Sequence, residues 1–157
     1  PWTDPDFPPC IQSFRKDEEA HKAPGHFGDT WKRAPEIQKN LGVFKEGPSF
    51  DDITQGSVGD CYFLAALACV AEFPELIKAR FITKKINKAG IYAVSLFING
   101  KEKVVMVDDH FMVDQWNRPH FAKFSHGKIW VAILEKVWAK LLGSIWRMNY
   151  GYVTDAT

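Results

Sequence analysis

The chain has 157 residues, 46% hydrophobic and 25% charged, with 20 basic against 19 acidic side chains and a net charge of +1. That balance fits a folded domain with its own core and excludes the disordered and fibrous classes. No long basic stripe runs along it, so nucleic acid is not an expected partner. The longest apolar run, Tyr62 to Ala71, is about half of the roughly 20 residues a membrane span needs, which reads as a buried helix and predicts no membrane span. The three cysteines, Cys10, Cys61 and Cys69, show no disulfide framework, no CxxC pair and no HExxH partner motif. Reduced thiols in an intracellular, cytoplasmic protein are the simplest reading, and a zinc site has no support. Pro1 in place of an initiator Met reads as a fragment.

Residues 1–50 are rich in Pro, Gly and charge and read as a loop-rich N-terminal strap, in which Trp31-Lys32-Arg33-Ala34-Pro35-Glu36-Ile37 docks as an irregular segment. Residues 60–72 are the clearest helix. Asp60 is a suitable N-cap, Gly59 lets the chain turn into it, and the apolar residues that follow predict burial nearly all round. Pro74 opens a short helix through Arg80 as an N1 proline. Ile91 to Ile98, Asn99-Gly100 and Glu102 to Val107 read as a hairpin, because Asn-Gly supplies the two positive φ values of a type I′ turn. A second strand pair is expected to involve Val113 and Phe121. From Ile129 to Leu142, Trp130, Ile133, Leu134, Val137, Trp138 and Leu141 recur at helical spacing, and Gly143 is the expected stop. The sum is an α+β domain, mainly helical with a small antiparallel sheet, and no linker divides it.

The chemistry concentrates in Gln55-Gly56-Ser57-Val58-Gly59-Asp60-Cys61-Tyr62-Phe63-Leu64-Ala65-Ala66. A cysteine in the first helical turn faces unpaired backbone N–H groups and the positive end of the helix, which favour thiolate over thiol. Such placement pulls a cysteine pKa below its usual value of about 8.5. The glycines let a substrate backbone approach closely. The Cys61 backbone N–H and the Gln55 amide can together form an oxyanion hole, whose donors are worth about 2.7–4 kcal/mol each in acyl transfer. The bland alternative is a buried helix whose early residue happens to be an inert cysteine.

This stretch resembles the active-site signature of the calpain family, a variant of the papain-like Gln-Gly-x-x-Gly-Ser-Cys-Trp pattern. Trp31-Lys32-Arg33, the strand Val104 to Asp109 with its paired Asp108-Asp109, and the helix Trp130 to Ser144 with Leu134-Glu135-Lys136 and Ala139-Lys140 are similar to calpain elements as well, so the likeness covers about residues 31–145. The resemblance implies a papain-like fold, of which residues 1–157 are the first core lobe. It implies Cys61 as nucleophile and Gln55 as oxyanion-hole glutamine. Tyr62 stands where calpains usually have Trp. Cys10 and Cys69 match nothing functional.

The family's catalytic His and Asn sit on a second lobe, near Gly-His-Ala and Asn-Pro-Trp sequences that do not occur here. His26, in Gly25-His26-Phe27, precedes the cysteine, against the family order, and His21, His110, His120 and His126 have no stronger claim. A histidinium partner is what takes papain-type thiols to a pKa of about 3–4; without it the chain is expected to lack peptidase activity. The expected partners are therefore the lobe carrying His and Asn, and a protein or peptide substrate. The resemblance also implies a calcium ion in this lobe, with Asp52 as a ligand, Gly47 at a backbone-ligand position and a Glu before the late helix. Lys128 occupies that Glu position, and calcium requires six to eight largely anionic oxygens. Either Lys128 takes the cation's place and pairs with Asp52, or it points into water. No cofactor is required for the chemistry and no metal-ligating residue is assigned. Two further readings stay open: a catalytically silent calpain-like interaction or regulatory module, and a transglutaminase-like acyltransferase, whose Gln-to-Cys spacing differs. Trp146, Tyr150 and Tyr152 are candidates for an aromatic face toward the second lobe.

Overall fold

The computed structural model describes residues 1–15, 29–149 and 151–152. In chain order its elements are α1 (Ile11–Phe14), β1 (Thr30–Arg33), α2 (Ala34–Ile37), α3 (Cys61–Ala71), α4 (Pro74–Arg80), β2 (Ile91–Ile98), β3 (Lys101–Asp108), β4 (His110–Val113) and α5 (Trp130–Leu142). Five helices and two separate two-stranded antiparallel sheets make the α+β architecture that the patterning predicts. No helix among the described residues is long and apolar enough to cross a membrane.

The hairpin forms as its turn chemistry requires. Asn99 and Gly100 have φ of 52° and 73°, the type I′ signature, and β2 and β3 pair from Ile98 against Lys101 back to Ile91 against Asp108. The second sheet differs from expectation. Val113 pairs with Thr30, so β4 pairs with β1, and Phe121 is a core residue whose ring meets Phe111 edge-on. The reason lies in the intervening turn: Asp114 Oδ1 accepts from the Trp116 and Arg118 amides, and Pro119, which reaches only a single bridge with Val113, has no N–H to extend a ladder. The segment expected as an irregular strap is thus a strand followed by a one-turn helix with Pro35 in its first turn.

Helix α3 is buried on one side only. Tyr62, Leu64, Ala66, Leu67 and Ala71 face the core, while Cys61, Ala65, Cys69 and Val70 face solvent, which corrects the expectation of burial all round. Helix α5 is the central one: its residues from Trp130 to Val137 are all buried, including Glu135 and Lys136. Gly143, at φ 97°, ends it by donating to the Ala139 and Lys140 carbonyls.

One buried charge cluster centres on Lys136 and Asp108. Lys136 Nζ donates to Asp108 Oδ1 and to the His110 carbonyl. Asp108 also accepts from the amides of Asp4 and His110. The next residue, Asp109, takes the Arg33 guanidinium at 2.5 Å, and Arg33 reaches on to the Trp2 carbonyl. Burial pushes the Asp108 carboxyl up, but the Lys136 charge and these hydrogen bonds outweigh it and hold Asp108 below the usual carboxylate range. At Lys136 burial pushes the ammonium down, and the charges of Asp108, Asp4 and Asp109 oppose that fall. Removing one partner of such a pair leaves an uncompensated buried charge. Lys136→Met is therefore expected to destabilise the fold by about 3–5 kcal/mol, read from urea unfolding. The double variant Lys136→Met with Asp108→Asn should recover part of that loss.

Candidate active site

The loop from Gln55 to Gly59 is held against the segment 120–122 from one side. Ser57 and Val58 both donate their amide N–H to the His120 carbonyl, at 2.9 and 3.2 Å. Gly56 makes this contact possible: a Cβ there would lie 2.1 Å from the Phe121 carbonyl oxygen and 2.2 Å from that of His120. On the other side Gly59 donates its N–H to Asn149 Oδ1 at 2.8 Å. A side chain at Gly59 would again collide, with its Cβ 2.7 Å from that oxygen. Both glycines are thus required by close approach, since neither has positive φ.

The chain leaves this loop as α3, and Cys61 is its first residue, solvent-exposed. Phe63 and Leu64 return their amides to the Asp60 carbonyl. The helix geometry gives the Cys61 and Tyr62 amides no intrahelical acceptor. Gln55 is exposed as well, and its Nε2 donates to the Val58 carbonyl at 2.8 Å. That bond uses one of the two amide hydrogens and anchors the side chain across its own loop. Tyr62 turns inward, where its hydroxyl accepts from Trp138 Nε1 at 3.0 Å, and Phe63 stacks on the same indole.

Asp60 caps α3 by position only. Its φ and ψ of −108° and 28° are not those of an extended N-cap, and its side chain makes no capping bond. The carboxyl is instead fully buried and meets Glu135 of α5, whose Oε2 accepts from the Ala122 amide. Burial and then the Asp60 charge push Glu135 well above the usual range. Burial also raises Asp60, and the hydrogen bond from Glu135 offsets part of that rise. Burial thus pushes both carboxyls of the pair toward their neutral forms, Glu135 further than Asp60, directly behind the cysteine.

A second polar centre surrounds Asp52. Lys128 Nζ lies 3.0 Å from Asp52 Oδ1 and donates to the Gly47 carbonyl at 2.9 Å. Trp130 Nε1 and the Ser49 amide donate to Asp52 Oδ2, and His126 Nδ1 lies 3.2 Å from Oδ1. Burial pushes the Asp52 carboxyl up, yet these hydrogen bonds together hold it below the usual range. Lys128 is 8% exposed, so the reading in which it points into water is overturned.

The described histidines each face a carboxylate: His110 with Asp108, His120 with Asp29 and His126 with Asp52. His21, His26 and Tyr150 lie outside the described residues. Trp146 carries the Arg15 guanidinium over its ring at 3.8 Å, and Tyr152 is exposed. Sequence reading missed Asn149 and the Ser57–His120 contact, because both join residues 63 or more positions apart and neither has a local signature.

A solvent-facing thiol at the start of a half-buried helix, behind a glycine-bearing loop with an amide side chain, is the layout a cysteine hydrolase needs. The chain belongs to the calpain family of cysteine proteases, whose family pattern matches residues 2–157. It is similar to the calpain-type cysteine protease ADL1 of Oryza sativa subsp. japonica, 33% identical over 99% of this chain and 7% of the relative. It is also similar to the calpain-type cysteine protease DEK1 of Zea mays, at 33% over 99% of this chain and 8% of that protein. Calpain clp-4 of Caenorhabditis elegans is 30% identical over 99% of this chain and 21% of its own length. The chain thus spans less than a tenth of the two plant relatives.

The buried carboxyl pair has a pH signature. Glu135 binds its proton more tightly folded than unfolded, so its contribution to stability is complete below the unfolded value of about 4.3 and is lost as pH rises toward the raised folded value. Glu135→Gln keeps a neutral donor to Asp60 and an acceptor for Ala122 while removing the titration. Its melting temperature relative to the parent chain should therefore rise by several degrees between pH 5 and pH 8. A difference that stays constant across that range would contradict a protonated Glu135.

Proposed function

We propose that this chain is the nucleophile-bearing lobe of a calpain-type cysteine endopeptidase, with Cys61 as the attacking thiolate and Gln55 as the oxyanion-hole amide. The observation that carries the reading is the exposed Cys61 thiol at the start of α3, four residues after Ser57 in a loop whose conformation two glycines and Asn149 hold. In the reaction the thiolate adds to a peptide carbonyl, the amine departs with a proton, and water releases the acyl group from sulfur. The Cys61 amide and the second hydrogen of the Gln55 amide serve the developing oxyanion. The imidazole comes from a second lobe with His and Asn that closes over this one, and a protein or peptide substrate lies along the seam. The lobe alone is inactive in this reading, since the described histidines are committed to Asp108, Asp29 and Asp52. Two measurements test it. Iodoacetamide mapping by mass spectrometry should show Cys61 alkylated about 10-fold faster than Cys69, which is also exposed but near the other end of the same helix. Equal rates would remove the activated thiol. Cleavage of a peptide substrate by the chain alone would refute the need for a second lobe.

The calcium ion implied for this lobe does not fit these residues. The Lys128 ammonium lies on the Asp52 carboxylate and the Gly47 carbonyl, which are two of the oxygens the ion would require. In this reading the lobe holds its loop by a fixed ammonium where relatives would use a soluble cation. Millimolar calcium should leave the melting temperature of the chain unchanged and give no binding heat in calorimetry; micromolar affinity would overturn the replacement.

A further inference from the structure

Ser57, His120 and Asp29 form a contiguous array, one hydrogen bond and one ion-pair contact, that the cysteine chemistry does not use. Ser57 Oγ lies 2.5 Å from His120 Nδ1, and His120 Nε2 lies 3.0 Å from Asp29 Oδ2. The imidazole and carboxylate side chains are 8% and 6% exposed, while Ser57 itself is exposed. The negative charge 3.0 Å from Nε2 favours the ring proton on that nitrogen, the tautomer whose Nδ1 lone pair accepts from the serine hydroxyl. This is the order of roles that activates a hydroxyl nucleophile: nucleophile on base, base on orienting acid. The array opens into a cavity of about 580 Å³, whose walls include Gln55, Ser57, His120, Trp116 and Lys123.

We propose that Ser57 is a second acyl acceptor, with His120 as its general base and Asp29 as the residue that orients the imidazole, acting on small aryl esters. The Ser57 and Val58 amides are both given to the His120 carbonyl, so the strongest backbone oxyanion donors are unavailable to this serine. Amide substrates, with a poor leaving group, are thereby disfavoured. An aryl ester loses its aryloxide more easily, and the exposed Trp116 ring, one face of which carries the Arg118 guanidinium at 4.6 Å, lines the cavity wall with aromatic surface for it. Lys123, on the same wall, supplies positive charge for the developing oxyanion.

In the acylation step the Ser57 Oγ–carbon bond forms as the hydroxyl proton passes to His120 Nδ1. The ester C–O bond then breaks and the phenol leaves with that proton. Water, deprotonated by the same nitrogen, adds to the acyl carbon, and release of the carboxylic acid returns the proton to Ser57. The Asp29 carboxylate, 3.0 Å from Nε2, balances the transient imidazolium throughout.

The test uses the chain with Cys61→Ala, so its outcome does not depend on the peptidase reading. A fluorophosphonate probe, which phosphonylates activated serines with loss of fluoride, should label Ser57 as mapped by mass spectrometry. p-Nitrophenyl acetate should give a burst of nitrophenolate that Ser57→Ala removes. Adding Asp29→Asn should slow labelling by about 100-fold, the scale of a misdirected general base, with the melting temperature recorded alongside. His120→Gln should do the same if it folds; Asp29→Asn decides if it does not. Absence of label at Ser57 in the folded chain, or labelling that Asp29→Asn leaves unchanged, would overturn the proposal.

Discussion

The described part of the chain is arranged around the need to compensate charge on a helix that is buried on nearly all sides. Lys136 cannot reach water from the middle of α5, and a buried ammonium is tolerable only beside an anion with its remaining hydrogens bonded. Asp108, at the end of β3, supplies the anion, and the His110 carbonyl takes a further hydrogen. Its neighbour Asp109 turns toward Arg33 at the end of β1. The two aspartates thus join the N-terminal segment, both sheets and α5 through contacts that depend on direction as well as distance. Hydrophobic burial supplies most of the driving force, but apolar contacts alone would tolerate a sliding of α5 that these bonds do not.

The site inherits its geometry from the same helix. One residue before Lys136, Glu135 meets Asp60, so the start of α3 is anchored on its inner side by a buried carboxyl pair. Where the helix starts, Lys128 and Trp130 both grip Asp52, which fixes the loop leading to Gln55. On the outer side the loop rests on the His120 carbonyl and on Asn149. Cys61 therefore projects from a position constrained on several sides, as the nucleophile of the proposed reaction must be if its approach to a carbonyl is to be reproducible.

Much of the fold was legible where the cause was local. The Asn99-Gly100 turn, the proline opening α4 and the glycine ending α5 each act within a few residues, and each element lies where its signal put it. The failures share a cause as well. Asp60 has the residue type of a capping side chain, yet the buried Glu135 draws its carboxyl inward. Val113 carries a strand pattern, but its partner Thr30 lies 83 positions away, beyond anything that periodicity encodes. Helix α3 reads as apolar all round because alanine and cysteine count as apolar, although small side chains on an exposed face cost little.

The residues from Gln55 to Ala66 by themselves determined the class of chemistry, because a cysteine at a helix start behind a glycine-bearing loop is a local arrangement of backbone and thiol. The substitution at Lys128 was also visible as a charge where an anion was expected. The tertiary structure alone decided where that charge goes, that two carboxyls are buried against each other behind Cys61, and that Ser57 meets His120 and Asp29. Those outcomes rest on groups far apart in the chain and close in space. Their energies come from burial and from distances of about 3 Å, and neither exists until the chain has folded.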